Sequence, residues 1–374
     1  MSIWSQLYNI HNRLSILELL CWEVKDLGIE YFLKSTTKMR REVSLSQIDK
    51  KNDIILFHNS LSSNYFPIRH NRKQKLISKS LLIYNGAFEV SDKITGSTWI
   101  KLLVLNIDKM RTEPLIISMQ SKTWNIILKM IPTLIHSSIL RTLMIIKALY
   151  KNILILHSAG IARKKNSVIL VGPGGIYKTT IVLNALKQGW KYQSDDLSLI
   201  MDGKSFVFPY FPATFNYLYE IRARSEYLSK LDYMRILIRL LKNRKSLLKF
   251  LPPTEKSAKI SAVIFVEKSN QIVQKPFLKP LKRSLAMKVL KNNFILSLWE
   301  SMTRLIPNPM RQYLYSYSYA CPRMDLLKNV TRAFNAIIFQ LLESYDPILM
   351  KAVIPLKLNY EYIDNLLGEL EKLV

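Results

Sequence analysis

The chain has little cysteine, little glycine, few acids and no long apolar run, and each shortage narrows its chemistry. Its two cysteines, Cys21 and Cys321, stand far apart and belong to no paired-cysteine motif, which excludes a disulfide framework and a cysteine-rich zinc site. A reducing cytoplasm is the expected home. The longest greasy region, Ile126 to Ile146, is interrupted by Lys129, Pro132, His136 and Arg141, so it reads as buried helix rather than a bilayer span. The first residues lack the basic start, apolar centre and small-residue cleavage site of a secretory signal. Acids number 27 against 55 Lys plus Arg, a net charge of +28 over 374 residues. Such a balance favours anionic partners: nucleotide phosphate, nucleic acid, an acidic polypeptide or an anionic membrane surface.

The length allows two domains with sizeable cores. The expected division is a mixed α+β domain over 1–150, suited to substrate or partner binding, and an α/β nucleotide-binding domain with C-terminal helices over 151–374. In the first, residues 1–50 read as helical. Two apolar runs flank Asn85-Gly86 as a hairpin, "WIKLLVLNI" and "PLIISM" add strands, and Trp124 to Lys151 reads as helix. Four histidines, His11, His58, His70 and His136, show no metal-ligand spacing. An amphipathic segment at 234–250 carries six basic residues and could meet an acidic partner or an anionic membrane as well as pack on its own domain. The aromatics of "RQYLYSYSYACPR" alternate at strand period, which fits strand packing or base stacking.

Six of the ten glycines lie between positions 160 and 203. Glycine is needed where backbone turns sharply or approaches a ligand, so the chemistry is expected there. "ILILHSAGIARKKNSVILVGPGG" gives two apolar runs around a polar turn, predicting an antiparallel pair. With Arg163 facing Asn166, His157 comes level with Gly172. "VGPGGIYKTT" then matches the G-x-x-x-x-G-K-[ST] phosphate loop at Gly172, Lys178 and Thr179, with Gly174 and Gly175 adding flexibility. Backbone amides would curl round phosphate oxygens, the lysine would offset their charge, and the threonine hydroxyl would hold Mg²⁺.

Tyr177 stands where that pattern has glycine. The conformation that glycine often adopts there costs a residue with a Cβ about 1 to 3 kcal/mol, enough to weaken nucleotide binding roughly tenfold or more if the loop must strain to close. A helix capped by Gly189 follows, then a strand containing the pair Asp195 and Asp196. Phosphoryl transfer to an alcohol needs one carboxylate near the attacking hydroxyl and another on the metal side.

Positions 156 to 200 resemble the catalytic core of the HPr kinase-related proteins, whose fold is akin to that of phosphoenolpyruvate carboxykinase. A histidine on the strand before the loop, the loop, a short helix ending in Gly189-Trp190 and an S-D-D strand occur in that order. The resemblance implies a P-loop kinase fold with ATP and Mg²⁺ as cofactors. Gly172, Pro173, Gly174, Gly175, Ile176, Tyr177, Lys178, Thr179 and Thr180 would surround the nucleotide. Thr179 would sit on the metal, His157 near the γ-phosphate, and Asp195 and Asp196 would supply the general base and a metal-side carboxylate, with Asp195 as base. Glu220, in "YEIRARS", echoes a metal-binding glutamate of the family, although the glycine-rich loop that follows it there is missing. The expected activity is phosphoryl transfer to a hydroxyl of a protein, peptide or small molecule. A nucleotide-binding regulator that has lost turnover and a nucleic-acid-associated ATPase are the alternatives. The oligomeric state, homo-oligomer included, is left open.

Overall fold

The computed structural model describes residues 31–35, 54–58, 74–78, 81–84, 86–95, 98–112, 115–123, 141–207, 253–269, 277–299, 309–321, 326–355 and 360–374. Glu220, the basic segment 234–250, all of 124–140 and all of 1–50 except Tyr31–Ser35 lie outside them. The chain is mixed α/β and divides into two compact units: 1–151 with 298–333, and 152–297 with 334–374. Residues 298–333 thus group with the first unit, where the expectation had placed them in the second. Among the described residues, no helix is long and apolar enough to cross a membrane.

The first unit holds a seven-stranded sheet: β1 (Tyr31–Ser35), β2 (Ile54–His58), β3 (Gln74–Ser78), β4 (Leu81–Tyr84), β5 (Ala87–Thr95), β6 (Thr98–Leu105) and β7 (Leu115–Thr123). Their spatial order is β1-β2-β7-β6-β5-β4-β3. β1, β2 and β7 run parallel and the others antiparallel. Tyr31–Ser35 is strand, not the helix expected for 1–50. Pairing of Tyr84 with Ala87 leaves a two-residue connection containing Gly86 at φ 75, the hairpin that Asn85-Gly86 signals. Helix α1 (Arg141–Tyr150) forms the described end of the expected 124–151 helix.

The tyrosine-rich segment is a helix, not a strand. α4 (Pro309–Ala320) starts with proline at its first position and buries Met310, Tyr313, Leu314 and Tyr317, while Tyr315 and Tyr319 face outward. Spacing by four satisfies both periods, so Tyr313 and Tyr317 share a face in either structure. Leu314, buried beside Tyr313, breaks the strand alternation. The Tyr317 hydroxyl accepts a hydrogen bond from the Gly86 amide at 3.1 Å.

The second unit is built on a nine-stranded mixed sheet: β8 (Leu154–Leu156), β9 (Ser158–Arg163), β10 (Asn166–Val171), β11 (Lys191–Ser194), β12 (Ser198–Met201), β13 (Lys204–Phe206), β14 (Ser257–Ser269), β15 (Phe277–Pro280) and β16 (Ile348–Pro355). The main path runs β11-β9-β10-β14-β13-β12-β8. The thirteen-residue β14 pairs with β13 near its start, while further along β16 runs parallel beside it and in turn pairs with β15. β10 is antiparallel to β9 and parallel to β14, and its residues Ser167 to Val171 are wholly buried, as a strand covered on both faces must be. Helices α2 (Lys178–Lys187), α3 (Arg283–Trp299), α5 (Leu326–Ser344) and α6 (Tyr360–Glu371) complete the described elements.

α2 buries Ile181, Val182, Ala185 and Leu186, the stripe its sequence predicts. It ends in a Schellman motif: Gly189 sits at φ 84, its amide bonds Leu186 O at 3.3 Å, and the Trp190 amide bonds Ala185 O at 3.0 Å. Trp190 then drops wholly into the core, which fixes the path back into β11. The Gly189-Trp190 pair is therefore a turn that returns the chain to the sheet.

At the far end of β10, Gly172 touches the next strand. A Cβ there would lie 2.8 Å from the Val266 carbonyl of β14 and would overlap the end of the Ile176 side chain. We expect Gly172→Ala to lower unfolding free energy by about 1 to 3 kcal/mol through overpacking, measured by urea denaturation. An unchanged midpoint would mean that the loop and β14 are not in contact.

Candidate phosphate-binding site

Two strand breaks create the site. β9 pairs with β11 and β8 pairs with β12, so the chain changes partners at His157 on one side and at Asp195-Asp196 on the other. The expected single strand through the two aspartates is therefore two strands with the acids at the corner between them. Asp196 takes φ 79, its carbonyl accepts from the Ser158 amide at 3.2 Å, and Ser194 and Ser198 hydroxyls meet across the corner at 2.5 Å. The strand alternation that would have sent the two carboxylates to opposite faces no longer applies.

The register places His157 as its spacing predicts. Asn166 faces Arg163 and Val171 faces Ser158, so His157 comes level with Gly172, the first residue of the loop. Asn293 of α3 is buried and donates from Nδ2 to the His157 carbonyl at 2.9 Å, pinning the break from outside the sheet. His157 Nδ1 lies 3.2 Å from Asp196 Oδ1, an ion-pair distance once the imidazole is protonated.

The loop joins β10 to α2. Pro173, Gly174 and Gly175 are exposed, Gly175 at φ 77, while Ile176 is buried and folds back over Gly172. Tyr177 is the N-cap of α2, with φ 67 and ψ 15 and no side-chain capping bond. Left-handed backbone at a residue with a Cβ costs roughly 1 to 2 kcal/mol, so the loop keeps the conformation a glycine would adopt and bears that strain. The Tyr177 ring lies under the Lys268 ammonium, 4.4 Å from its centroid.

The residues that follow face inward. Lys178 is buried and donates from Nζ to the carbonyls of Gly172 at 2.7 Å and Pro173 at 2.9 Å, bracing the loop. The Thr179 hydroxyl lies 2.9 and 3.1 Å from the two carboxylate oxygens of Asp195 and donates to them. Thr180 contributes its carbonyl to Asn184 Nδ2 at 2.8 Å. Burial pushes the Asp195 carboxyl up to about 7; Asp196 adds to the rise, while the Thr179 hydrogen bond and Lys178 oppose it.

His157, Lys178, Thr179, Asp195 and Asp196 are thus gathered around the loop, and Glu220 lies outside the described residues. Lys268 and Asn293 join them without having been singled out in the sequence. A lysine at a strand end and an asparagine within a helix carry no motif, and only the fold brings them here. Thr179 and the aspartates present oxygen donors of the kind Mg²⁺ takes. Among the described residues no three His, Cys, Asp or Glu side chains cluster to hold a metal. No protein-family model matches this chain, and no curated protein does.

The raised Asp195 value has a stability consequence. Below about pH 4 the carboxyl is protonated in both folded and unfolded chains and contributes nothing. Between there and about 7 the unfolded chain loses the proton first, so the fold is progressively destabilised; above about 7 the full cost stands. Asp195→Asn removes it. We expect the variant's stability advantage, measured by denaturant titration without metal, to grow by a few kcal/mol from pH 4 to pH 8. An advantage independent of pH would contradict the raised value.

Proposed function

We propose that the second unit is a P-loop kinase domain of the type its 156–200 segment resembles, and that it transfers the terminal phosphoryl group of ATP to a hydroxyl of a protein, peptide or small molecule. The observation that carries the reading is the Thr179 hydroxyl held on Asp195 at 2.9 Å, directly behind a lysine and a loop of exposed glycines. A helix start preceded by a glycine loop offers converging N–H groups to an anion. A hydroxyl and a carboxylate joined at its foot are what a phosphoryl-transfer site requires beyond that anion cradle.

Each residue then has a task. Loop amides from Gly174 to Thr179 surround the phosphates. Lys178 exchanges its loop carbonyls for phosphate oxygens and offsets the charge that develops there. Thr179 and Asp196 stand on the metal side, with His157 orienting the Asp196 carboxylate. Mg²⁺, when bound there, would supply positive charge to offset that of the phosphates. Asp195 takes the proton of the acceptor hydroxyl, a role suited to a group whose value lies near neutrality. Two cysteines outside any pairing motif and a net charge of +28 suit a cytoplasmic enzyme handling polyanions.

A second reading draws on Lys178. Its ammonium is already engaged by two loop carbonyls, and a loop that keeps that arrangement would bind nucleotide without turning it over, as a regulator does.

The test is incubation of the purified protein with γ-labelled ATP, Mg²⁺ and a cell extract, with wild type compared against Lys178→Ala and Asp195→Asn. We expect a labelled acceptor with wild type and a loss of about a hundredfold or more in each variant. Equal labelling by all three removes the kinase reading, and tight ATP binding with no labelled acceptor and no ATP consumption favours the regulator.

A further inference from the structure

We propose that Lys268 is a second cationic contact for the bound polyphosphate, and that Tyr177 is the positioning residue that seats it at the loop mouth. The inference rests on the nucleotide-binding reading above and adds to it a residue pair outside the phosphate-loop pattern.

The sheet brings Lys268 to the site. Val171 pairs with Phe265, and β10 ends there, whereas β14 continues to Ser269. The extra residues run alongside the loop, and Val266 already approaches Gly172 so closely that a Cβ would not fit between them. Lys268 lies two residues further along β14, and its ammonium reaches the Tyr177 ring at the start of α2. Its neighbour Glu267 points to the other side and pairs with Lys351 of β16. Among the described residues no carboxylate pairs with Lys268; its partner is the Tyr177 ring, 4.4 Å from the ammonium.

That contact gives the aromatic residue a purpose. A ring face attracts a cation without neutralising it, so a seated ammonium keeps its charge for an incoming anion. A carboxylate in the same place would cancel that charge and repel phosphate. Tyr177 holds a left-handed conformation that suits glycine better, and strain of this kind persists where the surroundings and the task of a site sustain it. The neighbouring cation, Lys178, is committed to the Gly172 and Pro173 carbonyls before phosphate arrives. Lys268 carries no such bond to the loop, which leaves it able to meet the outer phosphates first.

The experiment is isothermal titration of the whole protein with Mg·ATP and, separately, with AMP, which lacks the outer phosphates. Wild type should bind Mg·ATP, and Lys268→Met should bind it about tenfold or more weakly with AMP affinity unchanged. Lys268→Arg should restore binding to within about threefold of wild type, since the charge and the ring contact are kept. Tyr177→Leu should behave as Lys268→Met, with the double variant no worse than either single one. The Lys268 arm leaves the strained residue untouched, so it decides the matter even if Tyr177→Leu does not fold. Wild-type affinity for Mg·ATP in Lys268→Met, or an equal loss for AMP, overturns the inference alone. Absence of Mg·ATP binding by wild type overturns it together with the nucleotide reading.

Discussion

The register of β10 between β9 and β14 is the constraint from which the site follows. With Asn166 opposite Arg163, the last paired residue of β10 is Val171, and the loop must begin beside His157 on one side and Val266 on the other. A slip of one residue would turn every β10 side chain to the opposite face. It would also carry Gly172 away from the one place where the Val266 carbonyl forbids a Cβ. The turn that sets this register is itself unusual. Lys164 and Lys165 both take positive φ, as a two-residue hairpin requires, without the glycine or asparagine that normally supplies it. Burial of the five residues from Ser167 to Val171 holds the strand where the turn puts it.

Around that fixed strand the second unit carries several local costs in one small region. Tyr177 and Asp196 adopt left-handed backbone, Lys178 is buried, and Asp195 is buried against its charged form. Each is unfavourable alone. They gather around the loop after β10 and the corner after β11, and strained backbone with buried ionisable groups in one place is a pattern that functional sites show. Hydrogen bonds answer part of the cost: Lys178 is satisfied by two carbonyls, Asp195 by Thr179, and the strand break at His157 by Asn293.

What was legible in the sequence was local. The hairpin register of β9 and β10, the glycine loop, the apolar stripe of α2 and its Gly189 cap follow from turn chemistry and periodicity over a few residues. The hairpin at Gly86 does too. Where β14 would insert was not legible, because its partners β10, β13 and β16 are distant in sequence, and with it went Lys268. The flanks of the Asp195-Asp196 corner both have strand character, so the sequence predicts continuous strand there. The break comes from neighbouring strands pairing with different partners. In α4 the tyrosines at 313, 315, 317 and 319 fit a period of two, and Leu314 and Met310 on the buried side settle it as helix.

The central claim is that the amides between Gly174 and Thr179 form a cradle for phosphate although Tyr177 occupies its tightest corner. A crystal structure of the protein with Mg²⁺ and a non-hydrolysable ATP analogue tests this most directly. The account predicts the β- and γ-phosphates against those amides, with the metal on the Thr179 hydroxyl. A nucleotide bound elsewhere, or a loop that keeps Lys178 on its own carbonyls with no phosphate inside it, would contradict the account.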